Sequence, residues 1–138
     1  MSDTARKPRP EYRNIGITDI TLKYRLPPAA KLSILHRVSG AGLFLFLPFL
    51  LYLFSQSLTS ELSFMVLRDF FGNIIVKLIV LGLAWAFLFH FCAGVRHIVM
   101  DLNHNLSTKE TGKKTAIVVF IISTLLTLAV AAKLFGAF

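Results

Sequence analysis

The sequence has little charge, few acidic residues and almost no cysteine. Charged residues occupy 16% of its 138 positions, whereas a soluble domain of this size carries about 25%. Only 7 Asp and Glu stand against 15 Lys and Arg, which gives a formal net charge of +8. The single cysteine, Cys92, excludes a disulfide scaffold and a cysteine-based metal site within one chain. These shortages exclude an ordinary soluble globule and a disulfide-rich secreted domain.

Hydrophobic residues are what the sequence has in abundance. They make up 55% of the chain, and the mean hydropathy is +0.68. The basic residues are gathered between long apolar runs instead of covering a polar face, so the high net charge does not indicate a nucleic-acid partner. The composition therefore predicts a small integral membrane protein.

The apolar runs predict an all-α membrane protein with three transmembrane helices. A bilayer core of about 30 Å needs roughly 17 to 25 helical residues, and lipid leaves no partner for free backbone groups. Asn73 is a predicted N-cap of the second helix, and Pro48 is expected to kink the first. The predicted segments are an amphipathic inner arm (1–31), three spans (32–58, 74–100 and 115–134), an outer connection (59–73), an inner connection (101–114) and an outer tail (135–138).

The basic residues also predict the orientation in the membrane, because cytoplasmic flanks are enriched in Lys and Arg. The outer connection has only Arg68, whereas the inner connection has three lysines and the arm has seven basic residues. We therefore expect a cytoplasmic N-terminus and a periplasmic C-terminus. The arm does not resemble a signal peptide, and its acidic residues are not typical of a mitochondrial transit peptide. A bacterial inner membrane is therefore favoured. The basic residues of the arm are Arg6, Lys7, Arg9, Arg13, Lys23, Arg25 and Lys31.

Two predicted spans carry ionisable residues, which are costly in a bilayer and usually mark function. Ser33, His36, Arg37 and Gly40 follow one another at helical spacing, so they share one face of the first span. In the second span, His90 and His97 are seven residues apart and also share a face. These two faces form the candidate site.

The helical rise predicts the depth of these groups. His90 lies about 16 Å deeper along the second helix than Asp101, whereas His97 lies within about one turn of the boundary. A deep imidazole below a shallow ring of cationic groups matches a haem with iron on His90, and Gly94 would leave room for the macrocycle. The ring is expected to contain Ser33, His36, Arg37, Arg96 and His97.

Taken one by one, these residues allow other interpretations. His90 could hydrogen-bond across helices, and Arg37 and Arg96 could extend to lipid headgroups like other boundary arginines. The positions of Lys77 and Lys133 at the outer helix ends favour the same extension of their side chains to lipid headgroups. The joint placement of two polar faces at one membrane level favours a cofactor site.

Two motifs resemble a known family. SILHRVSG (33–40) matches the pattern S-x-x-H-R-x-[ST]-G, and HFCAGVRHIVMD (90–101) matches H-x3-G-x-R-H-x3-D. Both patterns are typical of the cytochrome b556 subunits of succinate dehydrogenase. Arg9–Pro10 and the YRLP segment at 24–27 also resemble the arm of these subunits.

The resemblance implies specific roles. His90 would be an axial ligand of haem b, the other ligand coming from a second small membrane anchor subunit, so that two anchors form one haem-binding helical bundle. His36, Arg37 and His97 would lie near the haem propionates, and Ser33 and Arg37 would help form the ubiquinone pocket. A flavoprotein subunit and an iron–sulfur subunit would supply the electrons. The chain itself has no dinucleotide-binding loop and no cysteine cluster.

Three other functions remain open at this point. The anchor of a quinol:fumarate reductase would share the fold and run the reaction in reverse. A small ion-transport subunit could use His and Arg as a relay, although broken helices and repeats are not visible. A non-catalytic scaffold could anchor a soluble partner through the basic arm.

Overall fold

The described residues form five α-helices. The structure, a computed structural model, describes residues 15–103, 106 and 108–136, and these contain no strand. Residues 1–14 of the predicted arm and 137–138 of the predicted tail lie outside the described residues. The helices are α1 (Ile17–Leu22), α2 (Pro28–Thr59), α3 (Glu61–Gly72), α4 (Ile74–Leu102) and α5 (Lys109–Leu134).

Helix α2 has prolines at its start and in its interior. Pro28 stands at the first helical position, where its missing N–H would have had no partner, and Pro27 precedes it in an extended conformation. The helix begins four residues before the predicted span and continues through Pro48 to Thr59.

The predicted outer connection contains a helix. Helix α3 begins with a reciprocal cap, in which the Ser63 N–H donates to Ser60 Oγ and the Ser60 N–H donates to Ser63 Oγ, both at 3.1 Å. The Ser63 hydroxyl lies 2.6 Å from the carbonyl oxygen of Gln56 and so links α3 to the end of α2. With 12 residues, α3 is too short to span a bilayer.

Side-chain caps also begin the two remaining long helices. Asn73 is the N-cap of α4, and its Oδ1 accepts the N–H of Ile75 at 2.8 Å, which confirms the predicted cap. Thr108 caps α5 and accepts the N–H of Thr111 at 3.2 Å. The start of α4 lies beside the end of α5, because Lys77 Nζ is 5.7 Å from the ring centroid of Phe135.

The buried core lies where α2, α4 and α5 meet. Leu32, Phe89, Ala93, Ala116 and Val119 form it, and Cys92 packs against it as a small apolar residue. The Phe89 ring contacts two neighbouring aromatic rings, with centroids 5.3 Å away at Trp85 and 5.2 Å away at Phe120. Small residues at the crossing allow close helix approach.

The outer faces of the long helices remain apolar and exposed. Three helices, α2, α4 and α5, are long and apolar enough to cross a membrane. Exposed apolar surface on this scale would promote aggregation in water, but it suits contact with lipid tails. The predicted all-α membrane fold with three spans is therefore confirmed. Examples of such exposed residues are Phe44, Leu45, Phe91, Ile98 and Leu125.

Candidate functional site

Three histidine rings converge between α2 and α4. The rings of His36 and His90 stack with centroids 4.2 Å apart and planes 18° apart. The ring of His97 lies 5.2 Å from that of His36, at 39°. The seven-residue spacing of His90 and His97 places both on the α4 face that meets α2. The structure thus brings together the three histidines that the sequence pattern singled out.

The hydrogen bonds of His90 determine which ring nitrogen carries its proton. His90 Nδ1 lies 3.0 Å from the backbone carbonyl oxygen of His36 and 3.3 Å from Ser39 Oγ. A carbonyl oxygen can only accept, so Nδ1 must be the donor. In the neutral ring, Nε2 then keeps its lone pair and is free to bind a metal. Metal-binding histidines usually donate their other ring N–H in this way, to a backbone carbonyl or a similar acceptor.

A glycine on α2 makes room for this ring. A Cβ atom at Gly40 would lie 2.6 Å from Cε1 and 3.1 Å from Nδ1 of His90. Such distances are impossible without displacing the ring, so the imidazole occupies the space that a side chain would need. Helical spacing placed Gly40 on the functional face, but its close approach to His90 depends on how α2 and α4 pack.

His36 supplies an unused polar atom. Its Nε2 is buried and has no hydrogen-bond partner among the described residues. A buried polar group without a partner costs about 1–3 kcal/mol, so a ligand group at this position would be stabilising. A Cβ at Gly94 would lie 3.7 Å from the same nitrogen, which is ordinary contact. Gly94 therefore lies against His36, and its predicted role beside a macrocycle stays a prediction.

The two residues expected at the quinone pocket lie near the start of α2. Ser33 is half-buried and Arg37, one turn later, is exposed. In the part of the chain that the structure describes, neither side chain takes part in a hydrogen bond or an ion pair. Both are thus available to a ligand, and they share a face by their spacing of four.

Arg96 lies elsewhere than predicted. Its Nε donates to Thr115 Oγ1 at 2.8 Å, and its Nη2 donates to the carbonyl oxygen of Gly112 at 3.2 Å. The guanidinium therefore lies between α4 and α5 instead of joining the histidines. The predicted ring of five residues was therefore wrong for Arg96. Adjacent residues are about 100° apart around a helix, so Arg96 and His97 point in different directions.

The contacts of Arg96 lead to a stability prediction. Arg96 makes two hydrogen bonds to α5, and such bonds between membrane helices average about 0.6 kcal/mol each. We therefore expect Arg96→Gln to weaken the α4–α5 pairing by about 1 kcal/mol in total. Thermal unfolding of the purified protein measures the effect. Thr115→Val should cost less in the Arg96→Gln background than alone, because its partner is already gone. Additive effects of the two substitutions would contradict the assigned contact.

The arrangement suits a cofactor that carries its own metal ligands. Among the described residues, no group of three His, Cys, Asp or Glu side chains could hold a bare metal ion. The rings of His36 and His90 stack, and among the described histidines only His90 has a ring nitrogen whose hydrogen bonding prepares the other nitrogen for coordination. A haem needs an axial ligand from the protein, and one histidine nitrogen can supply it.

Ser39 is part of the site, although no functional role was expected for it from the sequence. Ser39 is 8% exposed, and its hydroxyl lies 2.9 Å from the carbonyl oxygen of His36, the same oxygen that His90 contacts. The signal was present, because Ser39 lies three residues after His36 and so faces the same neighbour.

The fold and this site define a class: a helical membrane protein with three spans and a histidine cluster between the first two. A family model described as "Succinate dehydrogenase/Fumarate reductase transmembrane subunit" matches residues 6–130. The chain therefore belongs to this family.

Named relatives agree with the family. The chain is 42% identical over 106 residues to the succinate dehydrogenase cytochrome b556 subunit of Coxiella burnetii, an alignment that covers 76% of this chain and 83% of that protein. It is 29% identical over 119 residues to the subunit of the same name from Paracoccus denitrificans, covering 83% and 84%. The Rickettsia felis subunit is 30% identical over 107 residues, covering 76% and 81%. The predicted resemblance to cytochrome b556 subunits is confirmed.

Proposed function

We propose that this chain is the membrane-anchoring cytochrome b subunit of a succinate dehydrogenase, and that it helps bind haem b and form a ubiquinone-reduction site. One observation carries the proposal. His90 has Nδ1 committed to the carbonyl oxygen of His36, which leaves Nε2 for an iron atom. The family membership and the relatives' names support the same function.

The described residues fit a haem. His90 would hold the iron through Nε2, and His36, whose Nε2 is buried and has no partner among the described residues, would donate to a propionate. His97 beside His36, and Arg37 on the same turn of α2, would add donors for the two anionic propionates. The bound haem would supply a reversible one-electron carrier within the membrane. A second anchor subunit would provide the other axial ligand, so that the haem is shared between two chains.

The quinone site is proposed at Ser33 and Arg37. A serine hydroxyl and a guanidinium can both donate to a quinone carbonyl oxygen and stabilise the negative charge that develops there during reduction. Their unpaired state in the described structure leaves these donors available. Protons would arrive through water from the inner side of the membrane.

The remaining subunits would do the chemistry that this chain cannot. Its sequence has no dinucleotide-binding loop and no cysteine cluster, so succinate oxidation and electron delivery are assigned to a flavoprotein and an iron–sulfur subunit. The chain alone would be inactive. We propose that the basic arm and the 101–114 connection face the cytoplasm of a bacterial cell and that the C-terminus is periplasmic.

A reverse-running complex is the second candidate. The matched family includes fumarate reductase anchors by its own description. The same haem and quinone groups would then pass electrons from quinol toward fumarate. Comparing the rates of succinate oxidation and fumarate reduction by the purified complex distinguishes the two directions.

The direct test is purification of the tagged chain from membranes in mild detergent. We expect three further subunits to copurify, together with a reduced-minus-oxidised spectrum typical of a low-spin b-type haem. The complex should reduce ubiquinone with succinate. A chain that purifies without haem and without a flavoprotein would overturn the proposal and favour an ion-transport subunit or a plain scaffold.

A further inference from the structure

We infer that Ser39 and Gly40 act as positioning residues for the His90 imidazole, fixing its rotation and its protonated nitrogen before the iron binds. The inference rests on the proposed function in one respect, namely that His90 is the axial ligand. We call Ser39, Gly40 and the His36 carbonyl the imidazole cradle.

Gly40 forms the floor of the cradle. The His90 ring lies against the α2 backbone, where a Cβ at Gly40 would come within 2.6 Å of Cε1 and 3.1 Å of Nδ1. The nearby Gly42 is different, since a Cβ there would meet nothing within 4 Å. Of these two glycines on α2, only Gly40 is required by the ring.

Ser39 forms the side of the cradle. Its hydroxyl donates to the His36 carbonyl at 2.9 Å, so its oxygen can act only as an acceptor toward His90 Nδ1, 3.3 Å away. The Nδ1–H of His90 thus lies between two acceptors, the His36 carbonyl and Ser39 Oγ. Two acceptors fix the rotation of the ring about its Cβ–Cγ bond more narrowly than one.

The orientation has a consequence for an iron atom on Nε2. Hydrogen bonds to the remote nitrogen of a ligating histidine orient the ring and set its basicity. In a haem with two axial imidazoles, the angle between the ring planes determines the g values of the ferric low-spin signal. The cradle therefore sets one of the two planes on which that signal depends.

Gly40→Ala and Gly42→Ala form the first matched test, made in the complete complex purified from membranes. We expect Gly40→Ala to weaken haem retention by about 10- to 100-fold, as for other lost supports of metal ligands. Gly42→Ala should keep the parent haem content. Succinate oxidation with an artificial acceptor in the same preparation measures whether the complex has assembled. Equal haem content in the two variants would overturn the role of Gly40.

Ser39→Ala and Ser39→Thr form the second test, which does not depend on Gly40. Alanine removes the acceptor, whereas threonine keeps a hydroxyl that can reach the carbonyl three residues back. We expect Ser39→Ala to keep its haem but to shift or broaden the largest g value of the ferric haem, and Ser39→Thr to retain the parent signal. An unchanged signal in Ser39→Ala would overturn the role of Ser39.

The failures of the two proposals can be told apart. If His90→Leu keeps the parent spectrum, then His90 is not the ligand and the proposed function loses its main support. If His90→Leu loses the haem spectrum while Ser39→Ala and Gly40→Ala match the parent, then only the imidazole cradle is wrong.

Discussion

Replacing His90 with leucine is expected to abolish the low-spin b-type band of the purified complex. Leucine keeps an apolar side chain in the span but offers no nitrogen to iron. It also removes the bond from Nδ1 to the His36 carbonyl, so the proposed iron ligand and the hydrogen bond that orients it are both lost. Reduced-minus-oxidised difference spectra and extracted haem per complex measure the loss.

The matched control for this prediction is His97→Leu. His97 contacts the ring of His36 and is not bonded to His90, so its removal leaves the proposed ligand and its hydrogen bond in place. We expect a low-spin band with lower haem content, because a donor to a propionate is gone. If His90→Leu retains the parent spectrum, His90 is not the ligand.

Ser33→Ala and Arg37→Gln are expected to reduce quinone reduction strongly while sparing succinate oxidation. Removing one hydrogen-bond donor to a developing oxyanion typically costs about 100-fold or more in rate. Electrons would still leave the flavin and iron–sulfur centres for a soluble artificial acceptor. The ratio of the two activities in one preparation is the measurement.

Lys31→Gln is the control for the two quinone-site variants. Lys31 is an exposed basic residue near the same end of α2 and has no proposed contact with quinone. Its substitution should leave the activity ratio unchanged, which separates a specific effect from a general loss of positive charge. Parallel loss of both activities in Ser33→Ala or Arg37→Gln would show that these residues are structural only.

Long apolar runs made the spans predictable from sequence, because a bilayer demands length and composition more than detailed packing. The Asn73 cap followed from a residue type that satisfies free N–H groups. The contact of His36 with His97 followed from helical spacing within two spans, whereas the stacking of His36 on His90 did not, because His90 was expected to lie deeper. These inferences need only the geometry of single helices and the thickness of the membrane.

What sequence could not supply was the direction of individual side chains between helices. Arg96 lies beside His97 in the chain, yet it donates to Thr115 and Gly112 on α5. Helix α3 was missed because its 12 residues follow a span directly, and its link to Gln56 depends on the fold. The partnership of Ser39 with His90 likewise depends on how α2 and α4 face each other.

Helix α2 carries the proposed quinone donors and the imidazole cradle on one rigid body. Ser33 and Arg37 lie near its start, and the carbonyl oxygen of His36, between them in the chain, accepts the Nδ1–H of His90. Any tilt or rotation of α2 would therefore move the proposed quinone donors together with the groups that orient the proposed axial imidazole. An inhibitor lodged at Ser33 could thus be detected at a distance, in the spectrum of a haem it never touches.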